Sequence, residues 1–162
     1  MIITIMAPTV GSGDFRILRI IQDNCRLSAR EISDLTGIRV TTVFAKIKRM
    51  ERSGLIKAYR AVLDGGKLDV GTTAFIFVAF SLKSENKLQS QRKVAKMIAS
   101  FPEVQEVHII SGEWDILAKV KARDVDSVGK FVVDKLRLIG GIEKTLTSFV
   151  FGSEKESTVI PI

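Results

Sequence analysis

SAREISDLTGIRVTTVFAKIKRMERSG, residues 28–54, reads as two short amphipathic helices joined by a tight turn at Thr36-Gly37-Ile38. Ser28 caps the first helix through its hydroxyl, and Glu31 three positions later completes a capping box. Ile32 and Leu35 supply an inward stripe at helical spacing. Gly37 then ends the helix, because glycine enters the left-handed region without a steric clash. The second helix starts near Thr41. Its Val43, Ile47 and Met50 form an i, i+4, i+7 series facing a core, Ile38 plugs the turn, and Gly54 closes the element. Thr42, Ala45, Lys46, Arg49 and Arg52 occupy the opposite face. This is the pattern of a helix-turn-helix, whose second helix lies in the major groove of DNA.

An ordinary helical hairpin with a solvated basic face is the plainer alternative. The distribution of charge argues against it. Between Asp14 and Leu63 there are eleven Lys and Arg against five Asp and Glu; from Asp64 to Ile162 there are fourteen against thirteen. Nearly all of the net charge of +7 thus sits in the first third of the chain, where a polyanion would release counterions on binding. Thr41, Thr42, Ala45 and Arg49 are expected to read bases, while Arg39, Lys46, Lys48 and Arg52 position the helix on phosphates.

The 162 residues suffice for one ordinary domain or two small ones, and 46% hydrophobic with 27% charged residues is the composition of a folded, soluble protein. No apolar run approaches the ~18–20 residues of a membrane span, and the apolar Met1–Met6 is too short for a signal peptide. Residues 1–13 read as a flexible extension hinged at Gly11-Ser12-Gly13. The single cysteine, Cys25, excludes an internal disulfide and fits a cytoplasmic protein; it is expected to fill space at the end of the first helix.

Phe15–Asn24, capped by Asp14, supplies a supporting helix with Leu18, Ile21 and Cys25 inward and Ile17 and Ile20 flanking them. Residues 14–54 therefore form a three-helix domain. Leu55–Leu63 follows as a strand or extended arm, and Asp64-Gly65-Gly66-Lys67 breaks all periodicity, so 55–71 is a linker and hinge. A strand over Thr72–Leu82 precedes a helix over Leu88–Phe101 with Val94, Met97, Ile98 and Phe101 at helical spacing, stopped by Pro102. Val104–Ser111 and Trp114–Ala122 are strands separated by a tight Gly112-Glu113 turn. Asp124 caps another helix with Val125, Val128, Val132, Leu136 and Ile139 inward, and Ile142–Phe151 is the last strand. The fold class is α+β: a three-helix helix-turn-helix domain, a ferredoxin-like βαββαβ domain over 72–151, and a tail over 152–162.

In that topology both helices pack on one face of the sheet, yet the first strand is apolar on both. Ala74, Ile76, Val78, Phe80 and Leu82 form one set, and Thr73, Phe75, Phe77 and Ala79 the other. A second subunit is the simplest cover for the remaining face, which predicts a homodimer built through the C-terminal sheet.

The chain resembles the leucine-responsive and asparagine-synthesis regulators, the Lrp/AsnC family of bacterial and archaeal transcription factors. The likeness is carried by Asp14-Phe15-Arg16-Ile17-Leu18, Asn24 with Arg26-Leu27-Ser28, Glu51-Arg52-Ser53-Gly54-Leu55-Ile56, Tyr59-Arg60-Ala61, Leu68–Gly71, Val104–His108, Gly112-Glu113-Trp114-Asp115 and Gly141-Ile142-Glu143-Lys144-Thr145-Leu146-Thr147. It covers roughly residues 14–151. The resemblance implies a double-stranded DNA partner, an effector domain that dimerises and often assembles into tetramers or octamers, an amino acid effector held between dimers, and no other cofactor. By matching position, Ser111, Gly112, Trp114, Asp115, Thr145 and Thr147 are the effector candidates. A glycine-containing turn beside a carboxylate offers N–H groups and an anion to a zwitterion. The chain departs from the family pattern at Ser33, where alanine is usual, at Lys46, where arginine is common, and over Arg39-Val40-Thr41, where a serine-proline-like start is common. Lysine lacks the planar fork of arginine, which favours phosphate contact at Lys46.

Enzyme chemistry has little to work with. His108 and Cys25 are the only residues of their kinds and fall in different domains, so neither a Cys–His pair nor a metal site is expected. A strand histidine is ordinarily structural, with a pH-reporting role as the sharper alternative. Gly11-Ser12-Gly13 and Gly65-Gly66-Lys67 are too short for a phosphate loop. Phe75 and Phe77 suggest an RNA-stacking sheet, but the strand after Trp114 carries no aromatic. The rival reading is a stand-alone metabolite-binding oligomer without specific DNA recognition.

Overall fold

The computed structural model describes residues 10–81 and 90–162, which divide into two compact units: the chain up to Val62 together with Lys155–Ile162, and Leu63–Glu154. The first unit holds helices α1 (Ser12–Asp23), α2 (Ala29–Thr36) and α3 (Val40–Arg52). Ile17, Ile21, Ile32, Val43 and Met50 make its core, with Ile38 and Ile47 packed at the edge. The Ser28 capping box forms as the sequence requires: the hydroxyl accepts from the Glu31 N–H while the Glu31 carboxylate accepts from the Ser28 N–H. Gly37 ends α2 at φ +68°.

Four expectations change in this unit, the first being that Ile17, expected to flank the stripe, is fully buried while Leu18, expected inward, is only partly so. Helix α1 begins at Ser12 with Gly11 as its cap, so Ser12 and Gly13 are not a hinge; Asp14 is the third helical residue and reaches back to the Gly11 N–H at 2.9 Å. Leu35 is 65% exposed and Thr36 is buried in its place. The Thr36 hydroxyl donates to the Ile32 carbonyl at 2.7 Å, so burial leaves no unmet polar group. Cys25, one residue past the end cap of α1, is exposed and fills no space.

After α3 the chain runs without strand structure through Leu55–Leu63, the extended arm rather than the strand. The tail returns to α1. Gln22 donates its side-chain amide to the Ile160 carbonyl (3.1 Å) and accepts from the Ile160 N–H (2.7 Å), and Arg19 donates to the Ile162 carbonyl at 2.6 Å.

The second unit is an antiparallel sheet in the order β2-β3-β1-β4, with β1 Thr72–Phe80, β2 Val104–Ile109, β3 Ile116–Ala122 and β4 Ile142–Phe149. Helices α4 (Gln91–Ala99) and α5 (Val125–Lys130) cover one face, and Ala74, Ile76, Val78, Ile116, Ala118 and Val120 meet Val94, Ile98, Val128, Val132 and Leu136 in the core. This is the ferredoxin-like arrangement. Leu82 and Leu88 lie outside the described residues. Ser90 caps α4, and Ala95 is buried where Met97 was expected inward; Met97 remains 37% exposed.

Asp124 caps α5 as anticipated, but Val125 is exposed and Phe131 is buried instead. The helix then widens into a π turn over Phe131–Lys135 and tightens into a 3₁₀ turn over Leu136–Leu138. The widened turn keeps Val128, Val132 and Leu136, spaced four apart, on the buried side. A step of four drifts about 40° per turn in a regular helix, and one widened turn absorbs the drift. Strand β4 ends at Phe149, short of the expected Phe151, which is fully exposed.

Candidate functional site

Helix α3 is oriented by its apolar side. Val43 and Met50 are buried and Ile47 is half-buried, so the rows at 41, 45, 48, 52 and 42, 46, 49 face away from the core. Thr41, Thr42, Ala45, Lys48, Arg49 and Arg52 are exposed, Lys46 is half-buried, and Arg39 stands exposed at the N-cap. Of the eight sequence-derived DNA candidates, seven thus lie on α3 outside its packed stripe and Arg39 lies at its N-cap. Thirteen residues make a rod of about 20 Å, narrow enough for a major groove about 12 Å wide. Val40 and Phe44 also stand outward on α3, and the sequence reading passed over them.

The basic residues differ in their partners. Lys48 pairs with Glu51 at 3.0 Å and lies 5.8 Å from the centre of the Phe44 ring. Lys48 holds the Glu51 carboxyl below its ordinary value, and burial together with Glu51 pushes the Tyr59 hydroxyl, which donates to Glu51, up to about 12. Lys46 and Arg49 converge instead on Asp14. Lys46 Nζ lies 2.9 Å from Oδ1 and Arg49 Nη2 lies 2.6 Å from Oδ2. Burial drives the Asp14 carboxyl up, but the hydrogen bonds from Lys46, Gly11 and Arg49 with the Lys46 charge outweigh it and leave the pKa lowered. Sequence reasoning placed Asp14 at a cap and missed this role, since contacts 32 and 35 residues apart leave no local trace.

The effector candidates do not gather at one point. Between β2 and β3 the chain makes a longer loop than the expected two-residue turn, closed by the Ile110 N–H donating to the Asp115 carbonyl at 2.9 Å. Ser111 and Gly112 are exposed in it. Asp115 is a pin: Oδ2 accepts from the Phe80 N–H at 2.7 Å and Oδ1 from the Gln91 amide at 3.2 Å, while its own N–H donates to Val78. Trp114 tilts against Phe77 at 6.0 Å on the sheet face opposite the helices, with Lys144 Nζ 4.6 Å from its ring centre. Thr145 and Thr147 pair with Val78 and Ile76, which places them on the helix side. Thr145 accepts from Arg137 beside a shallow cavity of about 310 Å³ lined by Arg137, Ile142, Glu143, Lys144 and Thr145. Gln91, Arg137 and Lys144 were not anticipated.

Beyond the helices, the sheet face that bears Trp114 carries Phe75 and Phe77 in β1, with Leu117 and Leu146 paired to Phe77 on either side. His108 pairs with Glu106 at 3.2 Å. Among the described residues, no cluster of three or more His, Cys, Asp or Glu is placed to hold a metal, and no helix is long and apolar enough to cross a membrane.

Comparison with known proteins gives two family matches. Residues 14–57 match a winged helix-turn-helix DNA-binding domain and residues 73–160 the Lrp/AsnC ligand binding domain. An uncharacterized HTH-type transcriptional regulator of Pyrococcus abyssi is 41% identical over 93% of this chain and 99% of its own length. The HTH-type transcriptional regulator FL11 of Pyrococcus horikoshii is 32% identical over 92% of this chain and 94% of its own. The crystal structure of a transcriptional regulator of Neisseria meningitidis in complex with L-Met superposes with a TM-score of 0.85 at 28% identity, covering 94% of this chain and 97% of the other.

Proposed function

This chain belongs to the Lrp/AsnC family of transcriptional regulators, which are not enzymes, and from that premise we propose that it binds double-stranded DNA sequence-specifically through α3, as a homodimer whose assembly or affinity an amino acid modulates. The observation that carries the reading is the division of α3 into a packed apolar side and an outward side that, with the N-cap Arg39, bears five basic residues: Arg39, Lys46, Lys48, Arg49 and Arg52. Thr41, Thr42, Ala45 and Arg49 read base edges, and Arg39, Lys46, Lys48 and Arg52 set the helix on phosphates. Two copies of α3 in a dimer enter major grooves about one helical turn, roughly 34 Å, apart.

The apolar row of Leu117, Phe77 and Leu146 supports pairing of two sheets face to face, as a subunit partner would remove it from water. On the effector side, Trp114 lies on the sheet face away from the helices while Thr145 and Thr147 lie on the helix face, which favours a ligand held where two subunits meet over one enclosed by a single sheet. The neisserial relative is complexed with L-Met, which makes methionine the first amino acid to try. A ligand acts only through unequal affinity for two assemblies or two spacings of α3.

Titration of the full chain with a labelled random-sequence duplex pool at low ionic strength tests the DNA reading. Retention of a selectable subset is expected, and absence of any complex overturns it. A thermal-shift series over the twenty amino acids tests the effector, since a specific ligand raises the melting temperature by mass action. No shift with any of them leaves a regulator without amino acid control.

A further inference from the structure

The Asp14 carboxylate is 1% exposed, yet both cations on it belong to the outward side of α3. We infer that Asp14 is a positioning residue for DNA recognition: it holds Arg49 and Lys46 in the orientation from which α3 meets the groove. This rests on the reading of α3 as the DNA-contacting element.

The geometry divides the work between the two oxygens. Oδ1 takes Lys46, while Oδ2 takes Arg49 and the Gly11 N–H, so the carboxylate is anchored to its own helix before it grips the other. Burial of an ion requires such saturation, since an unpaired buried charge is strongly disfavoured. The Arg49 and Lys46 side chains nevertheless remain 51% and 26% exposed. Arg49 spends one hydrogen of Nη2 on Asp14. When Asp14 takes the Nη2 hydrogen that faces Nε, the other Nη2 hydrogen and the Nη1 hydrogen parallel to it form the donor pair that the O6 and N7 atoms of guanine accept. A guanidinium already fixed loses less freedom on binding than one that sweeps the solvent. The carboxylate also cancels one of the two positive charges, which holds down attraction to arbitrary phosphate backbones. Both effects favour discrimination over raw affinity.

The test compares the wild-type full chain with Asp14→Asn on two probes: duplexes the wild type selects from a random pool, and scrambled duplexes of the same composition. Asparagine keeps an acceptor for the Gly11 N–H and removes the charge. On scrambled duplex the variant is expected to bind more tightly, with a salt slope steeper by about 1. The ratio of selected to scrambled affinity is expected to fall at least tenfold. A ratio unchanged within twofold, or affinities for both probes falling in parallel, overturns the inference and leaves Asp14 a structural ion pair. If the wild type selects nothing from the pool, the DNA reading itself fails and takes this inference with it. Should Asp14→Asn not fold, side-chain NMR of wild-type Arg49 decides: slow guanidinium rotation in the free protein is expected, and free rotation overturns the assignment.

Discussion

Gly141 sits at φ +92°, and a Cβ placed there would lie 2.8 Å from Cε2 of the Phe80 ring. Both the backbone and the space therefore demand glycine, and Gly141→Ala is expected to destabilise the sheet unit by about 1–3 kcal/mol in denaturant unfolding. A loss below about 0.5 kcal/mol contradicts the argument. Asp124 gives a pH dependence of definite sign. The Ser127 hydroxyl, the Ser127 N–H and Arg123 lower its pKa from 3.8 to about 2. A carboxyl depressed by folding stabilises fully above its unfolded value, so this contribution is intact at neutral pH and disappears as pH falls from about 4 through 2. Urea unfolding followed by the fluorescence of Trp114, the one tryptophan, should show that drop in the wild type and a flatter profile in Asp124→Asn. Equal slopes in the two proteins exclude Asp124 as the source.

At the level of the element, local chemistry was legible and its long-range partners were not. The Ser28 box, the Gly37 turn and the Val43, Ile47 and Met50 stripe are written within a few residues of one another, and each forms as read. Leu35 was misread because i+3 and i+4 positions both adjoin Ile32, and hydrophobicity alone favours leucine over Thr36. What decides is the bond from the Thr36 hydroxyl back to the Ile32 carbonyl. Leu35→Ser should accordingly change stability by no more than about 0.5 kcal/mol, against roughly 2–5 kcal/mol for Ile32→Ala. A large loss from Leu35→Ser places that side chain in a contact the first unit does not show. The same limit explains Asp115: a carboxylate beside a glycine turn invites a ligand, whereas its bonds to Phe80 and Gln91 arise only once three elements pack. For α3, Lys48→Gln should weaken binding to every duplex and reduce the salt slope by about 1, while Arg49→Ala should cost ~1–3 kcal/mol and relax one base preference. If both behave alike in competition binding, the division between phosphate and base contacts is wrong.

For the whole molecule, the order of strands and helices fixed the ferredoxin-like topology in advance, because few arrangements satisfy short, right-handed connections. The proposed pairing of subunits uses the sheet face left without helices. Leu146 is exposed there, so Leu146→Glu should leave the fold intact by circular dichroism and shift sedimentation from dimer to monomer mass. A wild type that already sediments as a monomer, or a variant that stays dimeric, removes the basis for pairing through this face. The return of the tail to α1 bears on biosynthesis. Gln22 and Ile160 are separated by 138 residues, so at ribosomal speeds of about 5–20 residues per second the helices emerge on the order of ten seconds before the segment that completes their outer edge. For that interval the nascent N-terminal unit presents an uncovered Arg19 and Gln22, and its maturation waits on translation of the entire sheet domain.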